Sequence, residues 1–306
     1  MVVVFLGDKP LGGTELQQNW LLANLPKELA DKVQIICRPE ELDPKRLHVL
    51  WVQDMPLDVS FLADPKNQEL FDRVVFVSAW QQMVFNINMG FPFAKGSVIK
   101  NAIYPIDDIN KETDVIRLIY HPTPHRGLEL LVPVFERIAK DYDNVHLDVF
   151  SNFEIYARGH LNPQYEHLYE RCRNHPNITY HGSQPNDVVR QHLAKAHIFA
   201  YPSIWRETSC MSAMEAMSAK CLTVAPDYGA LSETLANFNV RYDWTEDKVE
   251  HQKRFEHKLR CAIENVFSAS TQKLLENQKQ YADKFYDRNT RIDQWINFLT
   301  DLVKSK

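Results

Sequence analysis

The chain has 306 residues, 44% of them hydrophobic, and a formal net charge of −5. These values are typical of a soluble globular protein with one large domain or two ordinary ones, and the acidic balance argues against a nucleic-acid partner. The five cysteines are scattered without a CxxC pair, which predicts reduced thiols in a cytoplasmic protein and no disulfide framework. No apolar run approaches the ~20 residues of a membrane helix, so any membrane contact is expected to be peripheral, on the inner face.

The first predicted elements are a strand, a glycine-rich loop and a helix. Residues 2–6 (VVVFL) form an apolar run of the kind buried in parallel sheets, and Thr14 is predicted to cap the helix. The loop ends on Gly12 and Gly13. This order is typical of the phosphate-binding start of a doubly wound fold, although GxGxxG is missing. The two glycines therefore either contact a phosphate or only turn the chain.

Strands and helices continue to alternate along the chain. The clearest strand candidates are VQIIC (33–37), HVLWVQ (48–53), RVVFVS (73–78), VIRLIYH (115–121), VHLDVFS (145–151) and HIFAYPS (197–203). Such alternation predicts βα units in an α/β fold. The apolar segment FNINMGFPF (85–93) is predicted to fold into the core. Helices are predicted over 245–267, 271–287 and the strongly amphipathic 288–304.

Two sets of polar side chains follow predicted strands, where open α/β sheets bind ligands. Gln53 and Asp54 end the strand at 48–53. Arg126 comes after another strand and directly precedes Gly127 and an amphipathic helix. A positive charge at a helix N-terminus is unfavourable because it opposes the helix dipole. An arginine at this position is therefore interpreted as functional, able to hold two phosphate oxygens, and not as a simple surface residue.

The stretch WRETSCMSAMEAMSAKCLTVAPDYGALSE (205–233) carries the most specific pattern. Ser209 is predicted to cap a helix that carries Glu215, and Glu207 lies eight positions earlier, on nearly the same helix face. A buried strand, CLTVAP, and a second helix near Leu231 are predicted to follow. Two helix N-termini beside two carboxylates suit a nucleotide sugar, because N–H groups attract a diphosphate and carboxylates accept bonds from hydroxyls. Alternatively, both glutamates are solvated helix charges, which the apolar neighbours of Glu215 argue against.

This stretch resembles the E-x7-E signature and following Gly-Gly turn of retaining glycosyltransferases of family 4. The resemblance implies that Glu207 contacts the donor sugar and Glu215 the nucleotide ribose. Gly229 and Ala230 occupy the turn, so the second glycine is replaced, and Cys210 stands where the family often has glycine. The segments 98–108 (VIKNAIYPIDD) and 175–203 are similar to further family segments.

The resemblance also implies the remaining members of the site. Arg126 matches the second position of a basic pair that holds the diphosphate, whereas His121 replaces the first position with a weaker, titratable group. Gln53 and Asp54 stand on the acceptor side, where many relatives carry a histidine. The catalytic candidates are Glu207 and Arg126. The donor-binding candidates are Gly12, Gly13, His121, Gly182, Ser183, Glu207, Thr208, Ser209, Glu215, Gly229, Ala230 and Leu231.

The implied fold is GT-B, in which two Rossmann-like domains face each other with a cleft between them. The predicted division gives a short N-terminal acceptor-side domain (1–110) and a nucleotide-sugar-binding domain (111–285). A C-terminal helix (286–306) is predicted to return to the N-terminal domain.

The implied reaction moves a hexose from a UDP- or GDP-sugar to a hydroxyl of a glycan or glycolipid, with retained anomeric configuration. No cofactor and no metal are expected, because the D-x-D at 141–143 lies at a predicted helix end. Arg126, glycine amides and helix N-termini would instead stabilise the leaving diphosphate. Two alternatives stay open: a GT-B epimerase or phosphorylase, and a non-catalytic sugar-nucleotide-binding module.

Overall fold

The structure, a computed structural model, describes residues 12–37, 40–154 and 158–306. It divides into two compact units, one formed by residues 13–103 and 285–306 and the other built on residues 104–284. The strand predicted at 2–6 lies outside the described residues. Each unit contains a parallel sheet with helices packed on it, which is the Rossmann-like arrangement that the alternating sequence predicts.

In the N-terminal unit, the part of the chain that the structure describes forms four parallel strands in the order β1-β2-β3-β4. With elements numbered in chain order, the strands are β1 (Val33–Ile36), β2 (Leu47–Val52), β3 (Arg73–Phe76) and β4 (Gly96–Val98). The helices are α1 (Gly13–Asn24), α2 (Lys27–Ala30), α3 (Pro65–Gln68), α4 (Ala79–Met89) and α12 (Arg288–Lys304). The rings of Trp51 and Trp295 meet edge-on with centroids 5.0 Å apart. This contact joins α12 to the same core as β2.

The described residues of the larger unit form six parallel strands in the order β10-β9-β8-β5-β6-β7. They are β5 (Ile116–Tyr120), β6 (Val145–Val149), β7 (Ile178–Tyr180), β8 (Ile198–Ala200), β9 (Leu222–Asp227) and β10 (Val240–Asp243). The helices are α5 (Leu128–Asp141), α6 (Glu166–Asn174), α7 (Asn186–Lys195), α8 (Met211–Ser218), α9 (Leu231–Leu235), α10 (Lys248–Asn265) and α11 (Ala269–Phe285).

The strand order of this unit reverses at β5. From β5 the chain proceeds through β6 and β7 to one edge, then returns to β8 and proceeds to the other edge. In open α/β sheets ligands bind beyond the carboxyl ends of the strands at such a switch point. The loops that follow β5 and β8 are therefore placed to form a site.

Two sequence-based expectations about the local structure of the N-terminal unit are wrong. Helix α1 begins at Gly13, so Thr14 lies inside the helix and does not cap it. The segment 85–93 is not one folded-in core loop: its first half ends α4, and although Phe85 and Phe91 are buried, Ile87 is 71% exposed. Helical periodicity places Ile87 on the side of α4 away from the sheet. Among the described helices, none has the length and apolar character that crossing a membrane requires.

Candidate functional site

The loops after β5 and β8 bring the two catalytic candidates into one ion pair. Arg126 ends a short 3-10 turn, and its Nη1 donates to Oε1 of Glu207 at 2.8 Å. The Tyr201 hydroxyl donates to the same carboxylate oxygen. Glu207 is only 4% exposed. The cost of burying its charge is offset by two donors, one of them cationic.

Gly127 allows the two loops to approach each other closely. Its φ is +135°, and a Cβ at this position would lie 2.3 Å from the carbonyl oxygen of Pro202. The neighbouring N–H of Ile204 donates to the carbonyl oxygen of Arg126 at 3.2 Å. Backbone contacts therefore fix the position from which the Arg126 side chain reaches Glu207.

The helix that carries Glu215 begins later than the sequence predicts. Cys210 occupies the N-cap position of α8 without a side-chain hydrogen bond, so the prediction of Ser209 as N-cap is wrong. Glu207 lies in the loop before the helix, so the expectation that both glutamates lie on one helix face is wrong. The physical reason is a tertiary contact: the N–H of Ala230 donates to the Glu207 carbonyl at 2.8 Å and holds this segment out of the helix.

Glu215 is a buried carboxylate with a cationic partner. It is 6% exposed, and Arg190 Nη1 lies 3.3 Å from its Oε1. Arg190 comes from α7 and also donates to the carbonyl of Pro105 at 2.8 Å. Neither Glu207 nor Glu215 is a solvated helix charge, so that alternative is wrong.

The turn after β9 packs directly on the Glu207 backbone. Gly229 has φ +62°, and a Cβ there would lie 2.7 Å from the carbonyl oxygen of Glu207 and 2.9 Å from its nitrogen. Ala230 is fully buried, and α9 begins at Leu231 as the sequence predicts. The first glycine of the turn is thus required by this close approach, whereas the second position accommodates a methyl group.

The two histidines of the loop after β5 are neutral at pH 7. Burial lowers the pKa of His121 to about 3 and that of His125 to about 4. The ring of His121 packs on Phe199, with centroids 5.0 Å apart. The expectation that His121 acts as a titratable substitute for an arginine is therefore wrong, because an enclosed imidazole does not take up the proton near neutral pH.

An aromatic group borders Arg126. The His125 ring stacks on Phe153 with centroids 5.2 Å apart and meets Trp205 edge-on at 4.7 Å. The guanidinium carbon of Arg126 lies 5.6 Å from the centre of the Trp205 ring, within the range of a cation–π contact. Trp205 remains 40% exposed. These rings limit the directions in which the guanidinium can turn.

Several buried polar atoms in the loops after β5, β7 and β8 have no hydrogen-bond partner within the described part of the chain. Among them are His121 Nε2, Thr123 Oγ1, His125 Nδ1, Ser183 Oγ and Ser209 Oγ. A buried polar atom without a partner costs about 1–3 kcal/mol. A polar ligand or bound water would remove that cost, which is typical of a binding site.

The remaining candidates are distributed over both units. Gly182 follows β7, and Thr208 lies between Glu207 and α8. Gly12 is buried, and Gly13 begins α1. Gln53 exchanges two hydrogen bonds with the Asn101 amide, at 3.2 and 3.0 Å. The carbonyl of Asp54 accepts from Gln81 at 2.8 Å.

Tyr201 and Arg190, the partners of the two glutamates, were not predicted from the sequence. Tyr201 belongs to a strand-like apolar run. Burial raises the pKa of its hydroxyl well above the usual value, so the hydroxyl stays protonated and donates a hydrogen bond to Glu207. Arg190 lies in an ordinary amphipathic helix. The available signal was indirect: a buried carboxylate needs a hydrogen-bond donor, so two buried glutamates indicate that partners exist without identifying them.

Comparisons with known proteins identify the family and the fold of the chain. The family profile described as Glycosyl transferases group 1 matches residues 101–285. By sequence, no curated protein matches the chain. A glycosyltransferase from Rickettsia africae ESF-5 superposes with a TM-score of 0.71 at 13% identity, covering 100% of this chain and 85% of that one.

Two further solved structures have the same fold. Sucrose-phosphate synthase from Thermosynechococcus elongatus has a TM-score of 0.65 at 13% identity, covering 86% of this chain and 69% of that one. HepE from Anabaena, solved with UDP and glucose, has a TM-score of 0.61 at 17% identity, covering 84% of this chain and 72% of that one. Since the family profile covers more than half of the sequence, the chain belongs to the glycosyl transferases group 1 and is a glycosyltransferase of the GT-B fold.

Proposed function

We propose that the chain is a retaining glycosyltransferase of family 4, which moves a hexose from a UDP- or GDP-sugar to a hydroxyl of a glycan or glycolipid. The observation that carries the proposal is the buried Glu207 carboxylate, held by Arg126 and Tyr201 at the switch point of the larger sheet. A neighbour in fold, HepE, was solved with UDP and glucose. That supports a uridine nucleotide sugar as the first donor to test.

Each part of the site has one role in this proposal. Arg126 stabilises the charge that develops on the leaving diphosphate, and Glu207 orients the donor sugar. Glu215 accepts hydrogen bonds from the ribose. Gly182 and Ser183 face the base through their backbone. Amide groups at Gly12, Gly13 and residues 229–231 bind the diphosphate.

The domain roles follow the same scheme. Residues 111–285 bind the donor, residues 1–110 bind the acceptor, and the helix at 286–306 completes the acceptor-side domain. The acceptor-side candidates are Gln53 and Asp54. Because the Gln53 side chain is an amide that does not take up a proton near neutral pH, a general base at this position would have to be Asp54 or a group of the acceptor itself.

A donor screen tests the proposal. A bound ligand raises the melting temperature in proportion to the logarithm of its concentration over Kd, so UDP-, GDP- and ADP-sugars can be ranked. Turnover of the best donor is then measured with glycan and with glycolipid acceptors, and the measured signal is the release of the nucleoside diphosphate. Conversion of the donor without acceptor indicates an epimerase, a requirement for orthophosphate indicates a phosphorylase, and binding without turnover indicates a binding module.

The first prediction concerns the ribose contact. Glu215→Gln should weaken binding of the nucleoside diphosphate by ~1–3 kcal/mol, the range for a charge-assisted hydrogen bond. Calorimetry on the variant and the wild type measures this difference. Glu112→Gln is the matched control, because Glu112 also pairs with an arginine of this unit but is 65% exposed and outside the site. Unchanged affinity in Glu215→Gln would remove Glu215 from the site.

The second prediction concerns metal in the reaction. Fixed dipoles and one guanidinium are proposed to stabilise the diphosphate, so the turnover rate should be unchanged in excess EDTA. The measurement is nucleotide release with and without the chelator. A rate that collapses on chelation and returns with manganese would overturn the mechanism.

A further inference from the structure

Three metal-ligating side chains come together in the larger unit, outside the candidate donor site. Asp148 lies in β6, His181 directly follows β7, and His192 lies in α7. One ligand atom from each lies within 4.8 Å of the other two. The residues are 33 and 11 positions apart in sequence, so no local spacing motif could have revealed the group.

The distances within this group are close to those of a coordination sphere. His181 Nε2 is 2.6 Å and His192 Nδ1 is 3.6 Å from Asp148 Oδ1. Zn²⁺ binds histidine nitrogen and carboxylate oxygen at about 2.0–2.2 Å, which places neighbouring ligand atoms of a tetrahedral site roughly 3.3 Å apart. The two distances to Asp148 would therefore have to change by less than about 1 Å, and the distance between the two histidine nitrogens, which is at most 4.8 Å, by up to about 1.5 Å. The proton between Asp148 and His181 would leave.

The surroundings hold both imidazoles in place. Phe150 stacks on the ring of His181, with centroids 4.1 Å apart and planes 2° apart, and meets the ring of His192 edge-on at 4.9 Å. The backbone N–H of His181 donates to the carbonyl of Val149 at 2.9 Å, which fixes the main chain that carries this ring. Asp148 is 6% exposed, whereas the His192 side chain is 30% exposed. The carboxylate is thus fixed inside, and the open direction faces solvent, where a water could complete the sphere.

We propose that Asp148, His181 and His192 bind one Zn²⁺ ion. Two imidazoles and one carboxylate form a ligand set that zinc accepts, with water as the fourth ligand. The ion would connect β6, the end of β7 and α7. Since α7 also carries Arg190, the partner of Glu215, its role would be to brace the helix beside the donor site. His181 directly precedes Gly182, but none of the three ligands is itself a donor-site candidate, so the ion would stabilise the fold without entering the reaction.

Metal binding is tested on chelator-treated protein purified without a histidine tag. Titration with Co²⁺, which absorbs visibly in such sites, should reach an end point at one equivalent, and Zn²⁺ should abolish the absorption. At a hundredfold excess over Kd, Zn²⁺ should raise the melting temperature by roughly 5 °C. No saturable spectrum, or an end point well above one equivalent, would overturn the proposal.

Two single-histidine variants locate the site. His192→Gln should weaken Co²⁺ binding by roughly tenfold or more and remove the thermal shift. His146→Gln is the matched control: His146 lies on β6 two residues before Asp148, is also half-buried, and hydrogen-bonds Thr179 at 2.9 Å. It should bind Co²⁺ like the wild type. Equal losses in both variants would mean general histidine binding and contradict the proposal.

A kinetic comparison separates this site from the reaction. EDTA should lower the melting temperature of zinc-loaded protein but leave the turnover rate at the assay temperature unchanged. The metal titration needs no donor or acceptor, so its failure would leave the proposed transfer reaction unaffected.

Discussion

Replacing Gly229 by alanine should destabilise the larger unit by ~2–5 kcal/mol. A left-handed φ costs a non-glycine residue roughly 1–2 kcal/mol. The new Cβ would in addition lie 2.7 Å from the Glu207 carbonyl oxygen and 2.9 Å from its nitrogen. Both atoms belong to the backbone, so the contact is relieved only by moving a chain segment, at a further cost of ~1–3 kcal/mol.

Gly182 provides the matched control, because it separates backbone strain from crowding. Its φ is +65°, almost equal to the +62° of Gly229, but the nearest atom to an added Cβ is 3.9 Å away. Gly182→Ala should therefore show the cost of the left-handed φ alone. Thermal unfolding of both variants measures the difference. Equal melting temperatures would contradict the packing of Gly229 on the Glu207 backbone.

Gly229→Ala should also lower activity under conditions where the protein remains folded. A displaced Glu207 backbone moves the carboxylate relative to Arg126 and Tyr201, and a misplacement of about 1 Å can cost roughly a hundredfold in rate. We expect kcat/KM to fall by this factor at a temperature well below the melting point. Destabilisation with unchanged kinetics would mean that Glu207 does not need its observed position.

The sequence predicted elements well where local patterns decide the structure. Helix α12 spans the predicted segment 288–304 because its apolar residues recur at helical spacing and Asp287 caps its N-terminus. The strands β3 and β9 are apolar runs bounded by polar residues, and both form where predicted. These features need no information about distant contacts.

The predictions failed where contacts between distant residues decide the structure. Ser209 has the local character of an N-cap, but the hydrogen bond from Ala230 to Glu207 keeps the chain out of the helix as far as Cys210. The charge of His121 depends on burial, which the sequence does not show. Similarly, Arg190 meets Glu215 only because α7 and α8 pack together. Partners of buried charges are set by topology and cannot be identified from one sequence.

Replacing Arg126 by alanine should lower kcat by about a hundredfold or more. If the guanidinium stabilises the leaving diphosphate, its loss matters most when negative charge develops in the transition state. The donor KM should change less, because helix N-termini and backbone amides still hold the ground state. Steady-state kinetics of the variant and the wild type measure both constants.

Arg126 pairs with Glu207 in addition to its proposed contact with the diphosphate, and further variants test this ion pair. Arg126→Lys keeps a positive charge beside Glu207 but lacks the two-pronged geometry of a guanidinium, so its kcat should lie between those of the alanine variant and the wild type. Arg117→Ala removes an arginine from another ion pair of the same unit, with Glu112, and should leave the kinetics unchanged.

Removing Arg126 also leaves the 4% exposed Glu207 with Tyr201 as its remaining donor among the contacts described above. The variant should therefore melt at a lower temperature, because an uncompensated buried charge is costly. Stability and rate then test different atoms: the melting temperature reports the contact with Glu207, and kcat reports the contact with the diphosphate. A lower melting temperature with unchanged kcat and KM would show that Arg126 only supports Glu207 and does not act on the donor.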